Sequence, residues 1–151
     1  MNQNIIPTEC PYYLISRVSL TVAAALKTDL TAADLEHVKP AYLGVLMALW
    51  LEEGLKTNEL GRRSGLEPST MTGLLDRMER DGFLIRRADP EDRRAQLIEL
   101  TDLGRGIRRE VTEVVTKTIA RMFAGIPETD LAHLKETLRA VLANQPAKGE
   151  S

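Results

Sequence analysis

The sequence is poor in the residue types that build metal centres, disulfides and many enzyme active sites. Among 151 residues it has one cysteine, two histidines and one tryptophan, and aromatic residues make up 4%. Cys10 has no second cysteine with which to close an intramolecular disulfide. His37 and His133 stand far from Cys10 and from each other along the chain, so these residues do not suggest a zinc ligand set. No metal and no other cofactor are expected. Nowhere does an apolar run approach the ~20 residues of a membrane-spanning helix. The start shows neither the basic region nor the apolar stretch of an export signal, so a reducing cytoplasm is the expected compartment. A phosphate-cradling glycine loop and a nucleophile paired with a base are also missing, which leaves nothing to suggest an enzyme.

What the chain does have is one domain's length and a hydrophobic content of 43%, enough for a core without covalent staples. Its net charge of −2 would argue against nucleic acid if the charges were spread evenly, because phosphate binding rests on cations. They are not spread evenly. Residues 60–109 hold 11 Arg, no Lys and 9 Asp plus Glu, while the remainder is acidic. Arginine forks onto phosphates and base edges in a way lysine cannot, so this middle part is the one suited to DNA.

Hydrophobic spacing predicts the elements. Leu14, Ile15, Val18, Val22, Ala25 and Leu26 recur at helical steps after Pro11, predicting a helix to about Leu30. A second helix is expected from Pro40 to Glu53, with Leu43, Leu46, Met47, Trp50 and Leu51 on its buried side and Gly54 as its stop. A short helix capped by Thr57 or Asn58 closes at Gly65. It is followed directly by another that starts at Pro68, buries Met71, Leu74, Leu75 and Met78, and ends at Gly82. Phe83 to Arg87 and Gln96 to Leu100 read as two strands of a hairpin. Thr101 caps a long helix from Asp102 to Phe123, and Pro127 to Asn144 forms the last. Met1 to Thr8 and Gln145 to Ser151 read as irregular. The expected class is mainly α with a small antiparallel β wing.

Helix, tight turn and helix over residues 57–81 is the arrangement in which the second helix can enter a major groove while the first braces it. Ser69, Thr70, Thr72 and Gly73 stand opposite the apolar face of that second helix, small enough to approach base edges or phosphates, with Arg77 a turn further on. The alternative for the hydroxyls is ordinary capping and surface solvation. Arg93 and Arg94 at the hairpin tip are suited to the adjacent minor groove. Asp92 beside them is expected to pair with an arginine and stabilise the wing. Arg77 could be that partner instead of, or as well as, a phosphate contact.

The runs from Thr70 to Leu84, Asp89 to Ala95 and Ile98 to Gly104 resemble the MarR family of bacterial regulators, with its Asp-x-Arg wing signature on Asp92 and Arg94. The resemblance is densest from about Val45 to Arg105. It implies a single MarR-like domain over 1–151: a winged helix-turn-helix lobe at about 40–100, and dimerisation helices at about 10–33 and 102–144. It also implies a homodimer, usually a repressor of a pseudo-palindromic operator, released by a small aromatic or anionic effector. Some relatives sense peroxide through a cysteine placed like Cys10, against which stands an incidental thiol. Candidate effector residues are Tyr13, Arg17, His37, Tyr42 and Met47. Gly73, where many relatives carry a larger polar residue, departs from the pattern. A winged-helix protein-interaction module without DNA binding is the alternative, and the arginine-rich wing speaks against it.

Overall fold

The computed structural model describes residues 6 to 144. The irregular ends expected from the sequence lie outside the described residues at 1–5 and 145–151, whereas Pro7–Glu9 forms a single 3-10 turn. Proline opens α1 (Pro11–Ala32), where a first-turn residue needs no N–H donor. Toward its end α1 buries Leu26 and Leu30, while Tyr12, Leu14, Ile15 and Val18 stay exposed. No helix among the described residues is long and apolar enough to cross a membrane.

A 3-10 turn at Pro40–Tyr42 leads into α2 (Leu43–Leu51), which starts three residues later and ends two residues earlier than its sequence suggests. Its buried side also differs from expectation: Val45, Ala48 and Leu49 join Leu43 and Leu46, while Met47 is 41% and Leu51 82% exposed. In the segment Leu43-Gly44-Val45-Leu46-Met47-Ala48-Leu49-Trp50-Leu51 no charged residue marks an outer face, so the rotation of the helix is set by its neighbours. Gly54 is not the helix stop. It takes φ +72 in the turn that follows and donates its N–H to Ile98 O at 3.0 Å.

That turn feeds β1 (Leu55–Lys56), a strand the sequence does not announce because two residues are too few to alternate. α3 (Thr57–Ser64) then runs to Gly65, whose φ of +68 closes it as expected. Its N-cap is Lys56, without a side-chain cap, and Asn58 Oδ1 accepts only from the neighbouring Glu59 N–H. Neither Thr57 nor Asn58 is therefore the capping residue. α4 (Pro68–Arg80) starts on its proline and buries Met71, Leu74, Leu75 and Met78. All four interact with the core that contains Leu46, Leu49 and Leu60.

β2 (Leu84–Ala88) and β3 (Gln96–Leu100) pair antiparallel, with Leu84 opposite Leu100 and Arg86 opposite Ile98. β1 adds to the other edge of β3, placing Leu55 opposite Ile98 and giving the order β1-β3-β2. Phe83, expected to begin the strand, instead precedes it as a fully buried core residue. Thr101 caps α5 (Asp102–Gly106) by accepting from Gly104 N–H, and donates its own hydroxyl to Gly82 O at 2.5 Å.

The single long helix expected from Asp102 to Phe123 is two. α5 ends at Gly106 with Ile107 as its C-cap and α6 (Arg108–Met122) follows, which suits a stretch weakened by Gly104 and Gly106. Gly104 has its own reason to be glycine: a Cβ there would stand 2.2 Å from Phe83 O.

By its contacts the chain divides into two compact units, Met1–Ile119 and Ala120–Ser151. The first holds the core just described. In the second, α7 (Glu128–Ala143) follows Pro127 as N-cap and buries none of its residues, leaving Leu134, Leu138, Val141 and Leu142 exposed.

Candidate nucleic-acid interface

Burying Met71, Leu74, Leu75 and Met78 leaves the other side of α4 to solvent. Ser69, Thr70, Thr72, Arg77 and Arg80 are exposed and Gly73 is half-exposed. Residues 69, 72, 73, 76 and 80 fall on one stripe by helical geometry. The N-cap Glu67 makes no side-chain cap, so the first N–H groups of α4 are not taken up by its own side chain. Thr72 donates its hydroxyl back to Pro68 O at 3.0 Å, a bond that holds its rotamer and uses its one donor.

The wing is held from its root. Asp89, 6% exposed, accepts from Glu91 N–H at 2.9 Å and pairs with Lys56 Nζ at 3.0 Å, tying the hairpin to β1. The Glu91 N–H above all, and then the Lys56 ammonium, hold the Asp89 carboxyl below its usual range, and Asp89 in turn raises Lys56. At the tip, Asp92 behaves differently from expectation. Its carboxylate accepts from the backbone N–H of Arg94 at 3.0 Å, and its carbonyl from Ala95 N–H at 2.9 Å. A short acidic side chain reaches a turn amide two residues on more readily than a distant guanidinium. Among the described residues Asp92 forms no ion pair with any arginine, Arg77 included. Arg93 and Arg94 are exposed and without an ion pair among the described residues. Between the tip and the start of α3 lies an open cavity of about 520 Å³, lined by Lys56, Thr57, Asn58, Asp92, Arg93 and Arg94.

Sequence reasoning missed the residue that joins these two parts. Arg86 on β2 donates to Glu79 Oε2 at 2.5 Å and to Asp76 Oδ1 at 2.6 Å, both on α4, and its N–H reaches Glu79 Oε1 at 3.3 Å. It also missed Lys56 and Asp89. The available signal was the nine acids interleaved with the eleven arginines of residues 60–109, which needed partners somewhere.

The five effector candidates do not line either of two surface cavities in this lobe. One is the wing cavity; the other, about 320 Å³, is lined by Leu49, Trp50, Glu53, Leu100, Arg105 and Arg108. There Arg105 binds Glu53 through two nitrogens, each at 2.8 Å, and this pairing lowers the Glu53 carboxyl's pKa. Tyr42 is buried, donates its hydroxyl to Asp81 Oδ2 and meets the Phe83 ring edge-on at 5.8 Å. It is thus a core anchor with its polar atom already engaged. His37 stacks on the same Phe83 ring at 5.8 Å, and Tyr13, Arg17 and Met47 are exposed. Cys10 is half-buried at the N-cap of α1, its N–H donated to Pro7 O at 3.2 Å.

Comparison with known proteins agrees with this geometry. Residues 40–95 match the MarR family. The chain is 48% identical over 73 residues to the HTH-type transcriptional regulator TtmR of Methylorubrum extorquens, covering 48% of this chain but only 37% of that protein. It is 34% identical over 103 residues to the organic hydroperoxide resistance transcriptional regulator of Bacillus subtilis, covering 68% of each. Among solved structures, CouR from Rhodococcus jostii bound to p-coumaroyl-CoA superposes with a TM-score of 0.78 at 25% identity, over 96% of this chain and 100% of that one. Reduced AbfR bound to DNA gives 0.69 at 25% identity, over 87% of each. These relatives are transcriptional regulators rather than enzymes, and the fold they share is the winged helix with a three-stranded antiparallel sheet. The chain belongs to the MarR family of transcription regulators.

Proposed function

We propose that this chain is one subunit of a homodimeric cytoplasmic repressor that sets α4 in the major groove and the wing in the minor groove of a pseudo-palindromic operator. The observation that carries the reading is the pairing of two features in one lobe. The polar face of α4 is exposed from Ser69 to Arg80, and the wing presents two arginines with no ion-pair partner among the described residues. Cations left unpaired are free to replace counterions on phosphate. The DNA contacts are Ser69, Thr70, Thr72, Gly73, Arg77, Arg93 and Arg94, with Asp92 shaping the turn that presents the last two.

A second copy covers apolar surface that the single chain leaves open: Tyr12, Leu14, Ile15 and Val18 on α1, and Leu134, Leu138 and Val141 on α7. Two such lobes would read half-sites about 34–36 Å apart. A small aromatic or anionic ligand releases the operator, a reading supported by the p-coumaroyl-CoA complex of CouR.

A gel-shift titration with the DNA flanking the protein's own gene tests this. A shifted band that weakens as salt rises, and that p-coumaroyl-CoA or an aromatic acid disperses, is the expected result. No band at low salt would overturn DNA binding and leave the protein-interaction module in its place. A single subunit by light scattering would overturn the dimer.

A further inference from the structure

The stripe of α4 that carries Ser69, Thr72 and Gly73 continues into an acid, Asp76, and Glu79 follows one turn later. Both carboxylates are open to solvent, with side chains 62% and 40% exposed. On a face meant for phosphates this is the wrong sign, since each uncompensated negative charge opposes the polyanion over a Debye length of about 10 Å at 0.1 M salt. The same two acids are the ones that Arg86 grips from β2. Arg86 is only 16% exposed, reaches one carboxylate with each terminal nitrogen, and adds its backbone N–H to Glu79. It is more covered than either acid, whereas Arg93 and Arg94 are exposed.

We propose that Arg86 is an electrostatic mask for α4: a positioning residue that lets the helix approach DNA by offsetting part of the negative charge of Asp76 and Glu79, without itself touching the nucleic acid. This rests on the DNA-binding reading above and specifies how one part of it works. The cluster holds one positive charge against two negative ones. The two guanidiniums beside the acids, Arg77 and Arg80, form no ion pairs with them among the described residues. With Arg86 already in place, they remain available to phosphates.

The test is a set of four proteins, wild type, R86Q, D76N/E79Q and the triple variant R86Q/D76N/E79Q. Each is titrated by fluorescence anisotropy against the DNA flanking its own gene and against a random-sequence duplex, over a range of salt. Under masking, affinity follows the local charge on both duplexes. R86Q is weakest, by about tenfold or more at low salt, a loss that shrinks as salt rises. The triple variant recovers to wild-type affinity or better, and D76N/E79Q binds most tightly. If Arg86 contacts DNA directly, the triple variant stays as weak as R86Q, and the mask is overturned. If the clamp matters only as a brace, all three variants bind weakly, with earlier melting by circular dichroism, and the mask is again overturned. A wild-type protein that binds neither duplex would overturn the DNA-binding reading itself, an outcome distinct from either.

Discussion

The Tyr42 hydroxyl donates to the Asp81 carboxylate at 2.6 Å, joining residues 39 positions apart. Asp81 is the C-cap of α4, its own N–H bonded back to Arg77 O. The turn ahead of α2 therefore holds the far end of α4. Tyr42→Phe deletes that bond while keeping the ring against Phe83. It should cost about 1.5–3 kcal/mol in urea unfolding, the range for a hydrogen bond to a charged acceptor. Burial first, and then Asp81, raises the Tyr42 pKa above the ordinary 10.0. The stability this phenol contributes is complete below pH 10.0 and is lost as the pH climbs through the raised value. Wild type should thus lose stability above that pH more steeply than Tyr42→Phe, as a urea series across alkaline pH would show.

The wing root has the opposite sign. Asp89 is held below the ordinary carboxylate value of 3.8 by Glu91 N–H and Lys56. Its contribution is full above that value and disappears as the pH falls through the lowered one. Asp89→Asn should speed hydrogen exchange at the Glu91 amide and weaken DNA binding at neutral pH. The difference in wing protection between the two proteins should close in acid. Equal exchange rates at neutral pH would show that the pair does not hold the wing.

Gly104→Ala tests a close approach. The added methyl would meet backbone, Phe83 O at 2.2 Å, and cannot be absorbed by a rotating side chain. Overpacking of this kind costs about 1–3 kcal/mol or more. The midpoint of denaturant unfolding should fall accordingly, whereas Gly106→Ala, with open space around its Cβ position, should not be destabilising.

Arg94→Ala removes one exposed cation from the wing tip. Affinity should fall across most DNA sequences, and the slope of log K against log salt should flatten by about 0.9, the share of a single phosphate contact. An unchanged slope would take Arg94 out of the interface.

Local chemistry was readable where a short segment carries its own constraint. Met71, Leu74, Leu75 and Met78 repeat at helical spacing among polar residues, so only one rotation of α4 hides them. Pro68 and Gly65 mark helix ends by their backbone preferences alone. Thr101 caps through an atom three residues away. α2 was misread for the converse reason: with apolar residues all round, nothing local says which side faces inward, and Met47 and Leu51 ended outside. β1 is too short to show a period.

The site divides in the same way. The hydroxyls of α4 and the arginines of the wing stand in the order of the chain, and their exposure follows from the burial of the opposite face. Which cations remain free does not. Asp92 was expected to take an arginine and takes a backbone amide. Arg86, unremarkable in sequence, gathers two acids 7 and 10 residues away once β2 folds back along α4. Lys56 finds Asp89 only when β1 joins the sheet, and Tyr42 finds Asp81 only across the core. Sequence alone determined α4, the wing hairpin and the family, because helical period, turn chemistry and capping act over a few residues. Tertiary structure decided the pairing of charges, because Coulomb attraction depends on distance in space, and that distance exists only after the chain has packed.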